Sequence, residues 1–362
     1  MNPLKIGDLS IPIPIVQGGM GIGISLATLA STVANQGGIG VISTVGLGSI
    51  YKFPGLNFKE NALEAIRNEI RKARKLTKGI LGVNIMTVLT NFDEIVKTVI
   101  EEKIDIIFAG AGLPLNLPAF LNSSSITKLV PIISSSRAAK IIAKKWKTTY
   151  NYLPDAFVVE GPKAGGHLGF KEENIKDTNY SLETLVKETS IVTDELYENF
   201  QKNIPIIAGG GITSGEEMFT LMQNGASEIQ LGSRFVATEE CDASIEFKKA
   251  IVALKENDIC IIKSPVGLPG RAIKNSFLEE IEKGNKIPTK CKFHCIKTCN
   301  PKETQFCIAE ALISAYKGNL NNGFVFCGAN AFKINSIITV KDVFQEFITS
   351  YNIKETEKLE GL

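Results

Sequence analysis

Two groups of residues in this chain have types and spacings suited to chemistry. The first is Glu160-Gly161-Pro162-Lys163-Ala164-Gly165-Gly166-His167-Leu168-Gly169, which holds one of only two histidines. It follows an apolar run, Ala156-Phe157-Val158-Val159, that reads as a buried strand. Glycines at a strand's end let the backbone approach a flat ligand closely. His167 would then be the base of that loop, with an unperturbed pKa suited to proton transfer near neutrality. The plainer alternative is a surface loop carrying a chance histidine.

The second group is Cys291, Cys295, Cys299 and Cys307, spaced C-x3-C-x3-C-x7-C. Four thiols so close together suit a soft metal, with a [4Fe–4S] cluster ahead of structural zinc and free thiols as the other option. The spacing is neither that of paired zinc ligands nor that of the bacterial ferredoxin run. His294 adjoins Cys295 and points elsewhere on this reading. Cys241, Cys260 and Cys327 read as packing residues.

Other glycines gather where apolar runs end: Gln17-Gly18-Gly19-Met20-Gly21, Gly82-Val83-Asn84, Ala109-Gly110-Ala111-Gly112, Ala208-Gly209-Gly210-Gly211 and Gln230-Leu231-Gly232-Ser233. The last two predict a phosphate cradle from Gly209, Gly210, Gly211, Gly232 and Ser233. Loops after the seventh and eighth strands of an α/β barrel commonly bind phosphate through free backbone N–H groups and a helix N-terminus. These placements argue against a chance histidine.

The elements that must position these residues alternate. Candidate strands are Ile13 to Gln17, Ile39 to Ser43, Gly79 to Ile85, Ile104 to Ala109, Leu129 to Ile133, Ala156 to Val159, Ile204 to Ala208 and Glu228 to Leu231. Between them run amphipathic helical patterns such as Ser25 to Asn35, Ala62 to Arg74, Asn91 to Glu102, Ser136 to Lys145, Ser181 to Thr189 and Gly215 to Asn224. Continuous apolar strands followed by helices predict a parallel sheet. Eight such units favour a (β/α)8 TIM barrel over an open doubly wound sheet.

The rhythm breaks near residue 257. The expected organisation is a barrel over residues 1–257, an appended helical and loop subdomain over residues 258–335 that carries the cysteines and lies over the barrel mouth, and a C-terminal helix and tail over residues 336–362. In the subdomain, Ser264-Pro265-Val266-Gly267-Leu268-Pro269-Gly270 reads as turn, and Ser276 to Lys283 and Ile308 to Tyr316 read as helices. The last helix is expected from Val340 to Tyr351, with a frayed tail. Asn330 is a candidate for returning a polar side chain to the site, and Gly169 to Tyr180 for a mobile cover.

Composition bounds the function. Lys+Arg 40 against Asp+Glu 38 leaves a net charge of +2, so nothing favours nucleic acid or an anionic membrane as a partner. No run approaches the ~18 apolar residues of a membrane span, and the N-terminus has no apolar signal core. The expectation is a soluble, cytoplasmic protein acting on a small molecule, its oligomeric state open.

Pro14-Ile15-Val16-Gln17-Gly18-Gly19-Met20, Gly37-Gly38-Ile39-Gly40, Gly82 through Met86, Glu160 through Gly169, Ile206 through Thr213 and Gln230 through Phe235 resemble the nitronate monooxygenase (2-nitropropane dioxygenase) family. That family includes the flavin-dependent enoyl-acyl-carrier-protein reductases of type II. The match spans roughly residues 10–240. It implies an FMN-binding barrel whose histidine lies over the flavin. Gln17, Gly18, Gly19 and Met20 would line the isoalloxazine, and Asn84 would bond its polar edge. Gly166 and His167 would face the substrate. The glycines at 209 to 211, with Gly232 and Ser233, would hold the phosphate, and Gln230 belongs to the same cofactor set.

The activity this implies is oxidation of alkyl nitronates with dioxygen. His167 would act as base towards a neutral nitroalkane or, when protonated, as a clamp on the nitronate oxygens. The alternative is an NAD(P)H-dependent enoyl reductase served by acyl carrier protein, and Arg271-Ala272-Ile273-Lys274-Asn275 resembles a segment of those reductases. Further options are a flavin reductase fed by an iron–sulfur cluster and a cofactor-free barrel that binds a phosphorylated metabolite.

Overall fold

The computed structural model describes residues 3–285, 291 and 294–361. Eight strands make one parallel sheet: β1 (Ile15–Gln17), β2 (Gly40–Ser43), β3 (Leu81–Met86), β4 (Ile106–Gly110), β5 (Lys128–Ile133), β6 (Phe157–Glu160), β7 (Ile206–Gly209) and β8 (Glu228–Leu231). From β2 to β8 each pairs with its sequence neighbour, and β8 pairs with β1. The seam between β1 and β2 is closed by a parallel bridge from Val16 to Ile39 and by Gln17 N–H donating to the Ile39 carbonyl at 3.0 Å. The sheet is therefore a barrel, as the alternation predicted, and the open-sheet option falls.

Strand parity explains the apolar runs. Ile106 and Phe108 of β4 point inward, where they pack with Val16, Val41, Val130, Val158 and Ile207. Ile107 and Ala109 point outward and belong to the layer beneath the helices. A strand buried on both faces must be apolar at every position. A hairpin that the sequence reading missed, Leu4–Ile6 with Leu9–Ile11, adds the fully buried Ile6 and Ile11 to the interior. Its turn residue Gly7 abuts Lys128 at the start of β5, so the hairpin closes the N-terminal end of the barrel.

The outer ring comprises α1 (Ala27–Asn35), α2 (Phe58–Leu76), α3 (Phe92–Glu101), α4 (Ser136–Tyr150), α5 (Leu182–Phe200), α6 (Gly215–Gln223), the short α7 (Ser233–Val236) and α8 (Ile245–Val252). Their starts are encoded locally: Asn57 and Glu60 form a capping box for α2, and Ser135, Ser181 and Ser214 cap α4, α5 and α6. Between β4 and β5 the chain forms only a single 3-10 turn, Leu117–Phe120.

The appended segment does lie over the barrel mouth. The stretch read as turn is the bend of an antiparallel hairpin, β9 (Ile259–Lys263) with β10 (Pro269–Ile273). The β-branched Ile259, Ile261 and Ile262 supply strand propensity, and Gly267 takes the left-handed turn conformation at φ +88°. Helices α9 (Ser276–Glu282) and α10 (Ile308–Tyr316) pack around a separate core that includes Phe277, Phe306 and Phe324.

The last helix, α11 (Val340–Glu360), is started by a Thr339–Asp342 capping box and packs on α6 and α1. Phe344, Phe347 and Tyr351 are buried beneath it, so it supplies an outer helix where α7 is short. It runs past Tyr351, where fraying was expected, to a left-handed Gly361 cap. A Lys354–Glu357 ion pair at 2.7 Å braces its polar end. The presumed cover is also packed, with Phe170 and Ile175 buried and two 3-10 turns between residues 172 and 180. Among the described residues, no helix is long and apolar enough to cross a membrane.

Candidate active site

A cavity of about 940 Å³ opens at the C-terminal ends of the barrel strands, beneath the appended segment. Gly18, Gly19, Met20, Asn84, Gly166, His167, Gly210, Gly211, Gln230, Gly232 and Ser233 all line it, so residues far apart in sequence converge as expected. Gln17 and Gly209 do not. The Gln17 amide is spent on backbone, its oxygen accepting from Val41 N–H at 3.0 Å and its nitrogen donating to the Gly18 carbonyl. Gln17 is thus a clasp across the β1–β2 seam. Gly209 lies within β7, its carbonyl accepting from Gly161 N–H at 2.8 Å.

The glycines make a shelf. A Cβ on Gly19 would lie 2.2 Å from Asn84 Cβ, so only glycine lets these two strand ends meet. A Cβ on Gly166 would meet nothing within 4 Å, and one on Gly232 only Met20 Sδ at 3.8 Å. Both positions therefore border open cavity that a side chain would fill. Gly210 and Gly211 have φ of +110° and +85°, turning the chain after β7 in a way side chains resist. A flat ring system with a phosphate tail fits such a shelf, its phosphate toward Gly210, Gly211 and Ser233.

His167 is held on two sides by the appended hairpin. Its backbone pairs with Gly270, and Leu168 N–H donates to the Pro269 carbonyl at 2.8 Å. Its Nε2 is 2.8 Å from the hydroxyl of Ser264, a buried residue in the β9–β10 bend. The Ser264 oxygen also accepts from Val266 N–H at 3.3 Å, and its second lone pair and its proton leave it able to accept from or donate to Nε2. The Phe326 ring meets the imidazole edge-on, with centroids 5.1 Å apart. Burial lowers the His167 pKa to about 4, so at neutral pH the imidazole is uncharged. That state favours a hydrogen-bonding imidazole over the imidazolium clamp anticipated for a nitronate.

Glu160, at the end of β6, also faces the cavity, and burial raises its pKa to about 7. Glu228 is fully buried on the inward face of β8 with neither carboxyl oxygen hydrogen-bonded, and burial raises its pKa well above the usual range. Arg271 reaches from β10 to the Ala164 carbonyl at 2.5 Å and ties the hairpin to the histidine loop. Asn330 does return to the site, its amide donating to the Gly211 carbonyl at 2.5 Å, and Gly328 N–H donates to Ser233 Oγ at 2.8 Å. Ser264 and Phe326 escaped the sequence reading as site residues; for Ser264 the one signal was the Ser-Pro-x-Gly turn preceding β10.

Cys291, Cys295, Cys299 and Cys307 are unpaired thiols that line a second cavity of about 230 Å³. Burial, reinforced by Cys307 and the other two thiols, pushes Cys295 up to about 11. Among the described residues, no group of three or more His, Cys, Asp or Glu side chains is placed to hold a metal ion. Cys241 and Cys327 are buried in the core, as expected of packing residues.

The family model described as nitronate monooxygenase matches residues 2–96 and 86–350. A relative from Staphylococcus saprophyticus, described as a probable nitronate monooxygenase, is 27% identical over 307 residues, covering 78% of this chain and 81% of its own. Among solved structures, FabK from Thermotoga maritima superposes with a TM-score of 0.74 at 28% identity, covering 97% of this chain and 96% of that one. A nitroalkane oxidase from Streptomyces ansochromogenes has the same fold, with a TM-score of 0.74 at 19% identity and coverage of 96% and 97%. With a family match running almost end to end over a barrel of this geometry, the chain belongs to the nitronate monooxygenase family and is an oxidoreductase.

Proposed function

We propose that the protein is an FMN-dependent oxidoreductase that oxidises alkyl nitronates with dioxygen. The observation that carries this reading is a neutral, Ser264-bonded His167 beside a glycine shelf at the barrel mouth. FMN, when bound, supplies the electron transfer and dioxygen chemistry that side chains lack. Gly18, Gly19, Met20 and Asn84 would hold its ring, and Gly210, Gly211, Gly232 and Ser233 its phosphate.

The chain's own residues define the substrate's state. Ser264 holds the ring through Nε2, and an uncharged His167 meets a nitronate oxygen by hydrogen bond rather than by charge. A base with a pKa of about 4 is poorly matched to removing the α-proton of a nitroalkane. The preformed nitronate anion is therefore the substrate, and the neutral nitroalkane is a poor one. The Phe326 ring and the β9–β10 bend exclude water from this side of the imidazole.

A second reading, NAD(P)H-dependent reduction of an enoyl thioester carried by acyl carrier protein, is favoured by two features. Beyond His167 the cavity wall is apolar, formed by Val266, Ile296, Ile308, Leu312 and Phe326, which suits an acyl chain. The 28% identity to FabK points the same way.

An anaerobic visible spectrum before and after NADH separates the two. A persistent flavin band followed by nitronate-dependent oxygen uptake supports the first, and rapid bleaching supports the second. His167→Asn should retain FMN while turnover falls by about 10²–10⁴-fold. Near-normal turnover in that variant would remove His167 from the mechanism.

A further inference from the structure

We propose that Cys291, Cys295, Cys299 and Cys307 ligate one polynuclear iron–sulfur cluster seated in the smaller cavity. All four thiols face the same space of about 230 Å³. Four thiols around one space match the ligand count of a core of several irons and bridging sulfides.

The surroundings suit thiolates. His294 N–H donates to Cys291 Sγ at 3.3 Å. The backbone amides of Ala309 and Glu310 bond the Cys307 sulfur where α10 begins. Hydrogen bonds of this kind stabilise charge on cluster sulfurs. Lys297 also lines the cavity and contributes a cation.

A cluster also answers a structural need. Residues 294–307 form no helix or strand beyond a single bridge from Ile296 to Leu89. They are strapped to the loop after β3 by Thr90 N–H to the Cys295 carbonyl at 3.1 Å and Lys297 N–H to the Val88 carbonyl at 2.9 Å. Irregular stretches of this length inside a compact domain commonly carry function or are held by a staple such as a metal. Thr90, His294, Cys295, Ile296 and Ile308 line both cavities, so the cluster would stiffen one wall of the substrate cavity.

Ligation is stoichiometrically simple. Each thiol gives its proton to solvent as its sulfur bonds iron, and two ferrous ions, two ferric ions and four sulfides supply a [4Fe–4S]2+ core with no net oxidation. The assignment is independent of the flavin reading, because iron and sulfide are counted whether or not any substrate turns over.

The test is anaerobic purification of the full chain, or its reconstitution with ferrous and ferric iron and sulfide, followed by gel filtration and analysis for iron, acid-labile sulfide and zinc. The expected result is about four irons and four sulfides per chain for a [4Fe–4S] core, with the four thiols protected from iodoacetamide in the native protein. Cys295→Ser and Cys299→Ser should lose most of the iron while keeping the circular dichroism of the parent, and Cys241→Ser should keep the iron. Should the cysteine variants misfold, protection of the parent's four thiols decides the matter. One zinc per chain without sulfide overturns the proposal, as does metal-free protein whose four thiols alkylate freely. Full iron retention in Cys295→Ser overturns the ligand assignment.

Discussion

Removing the Ser264 hydroxyl tests the site's most specific contact. In Ser264→Ala the 2.8 Å bond to His167 Nε2 disappears and a half-buried ring nitrogen loses its donor. A neutral hydrogen bond of this kind is worth about 1 kcal/mol net, and leaving its partner unsatisfied raises the cost to about 3 kcal/mol. If the bond holds the Nδ1–H tautomer through the transition state, kcat falls by about 5-fold to about 100-fold with KM little changed. If the hydroxyl donates to Nε2 it opposes protonation there, and its loss then moves the His167 pKa upward from about 4. The assay is steady-state turnover of the FMN-loaded protein from pH 4.5 to 9, with imidazole NMR to follow titration. The acid limb should shift toward neutrality in Ser264→Ala and return in Ser264→Thr, which keeps a hydroxyl. A Ser264→Ala enzyme with unchanged kcat and an unchanged acid limb would refute the assignment of Ser264 as a positioning residue.

Three further outcomes follow from the geometry. Gly19→Ala places a Cβ 2.2 Å from that of Asn84 and should separate β1 from β3; FMN retention measured by ultrafiltration should drop at least about tenfold, alongside about 1–3 kcal/mol of stability. Glu160 has a pKa of about 7, so above that pH its carboxylate repels an anionic substrate. Nitronate kcat/KM should therefore fall as pH rises through 7, an inflection absent from Glu160→Gln. For Glu228 the folded pKa is raised, so the native state holds a proton that the unfolded state releases above about 4.5. Wild-type stability should then decline with rising pH by up to about 1.4 kcal/mol per unit from this group. Urea midpoints between pH 5 and 8 should show a shallower decline in Glu228→Gln; an identical slope would mean that Glu228 ionises normally.

The barrel was legible because its strands are buried on both faces and so are apolar at every position, a pattern that survives without knowledge of any partner. The cofactor shelf was legible for a related reason: strand ends that must let a ring approach closely carry glycine, and Gly18, Gly19, Gly210 and Gly211 all do. Gln17 shows where motif reading stops. Ile15 packs toward the helices and Val16 toward the interior, so parity puts Gln17 on the helix side with Ile15. A shared Gln-Gly-Gly string carries no such direction. Ser264 was illegible because its partner lies 97 residues away, and nothing local marks a hydroxyl that will meet an imidazole. The N-terminal hairpin was missed because two three-residue strands give too little pattern to recognise.

The two halves of the site come from different parts of the chain, and this suggests how the family label and the substrate can part company. The glycine shelf is built by barrel strand ends, whereas Ser264, Phe326 and the apolar wall at Val266, Ile296 and Leu312 come from the appended segment. Changes in that segment leave the shelf intact while altering how His167 is held and what can lie against it. Replacing Leu312 with Trp should therefore block long-chain nitronates or enoyl thioesters and spare short ones, with FMN content unchanged. Equal losses for short and long substrates would place the chain-binding wall elsewhere, and loss of FMN would mean that the appended segment and the shelf are not separable.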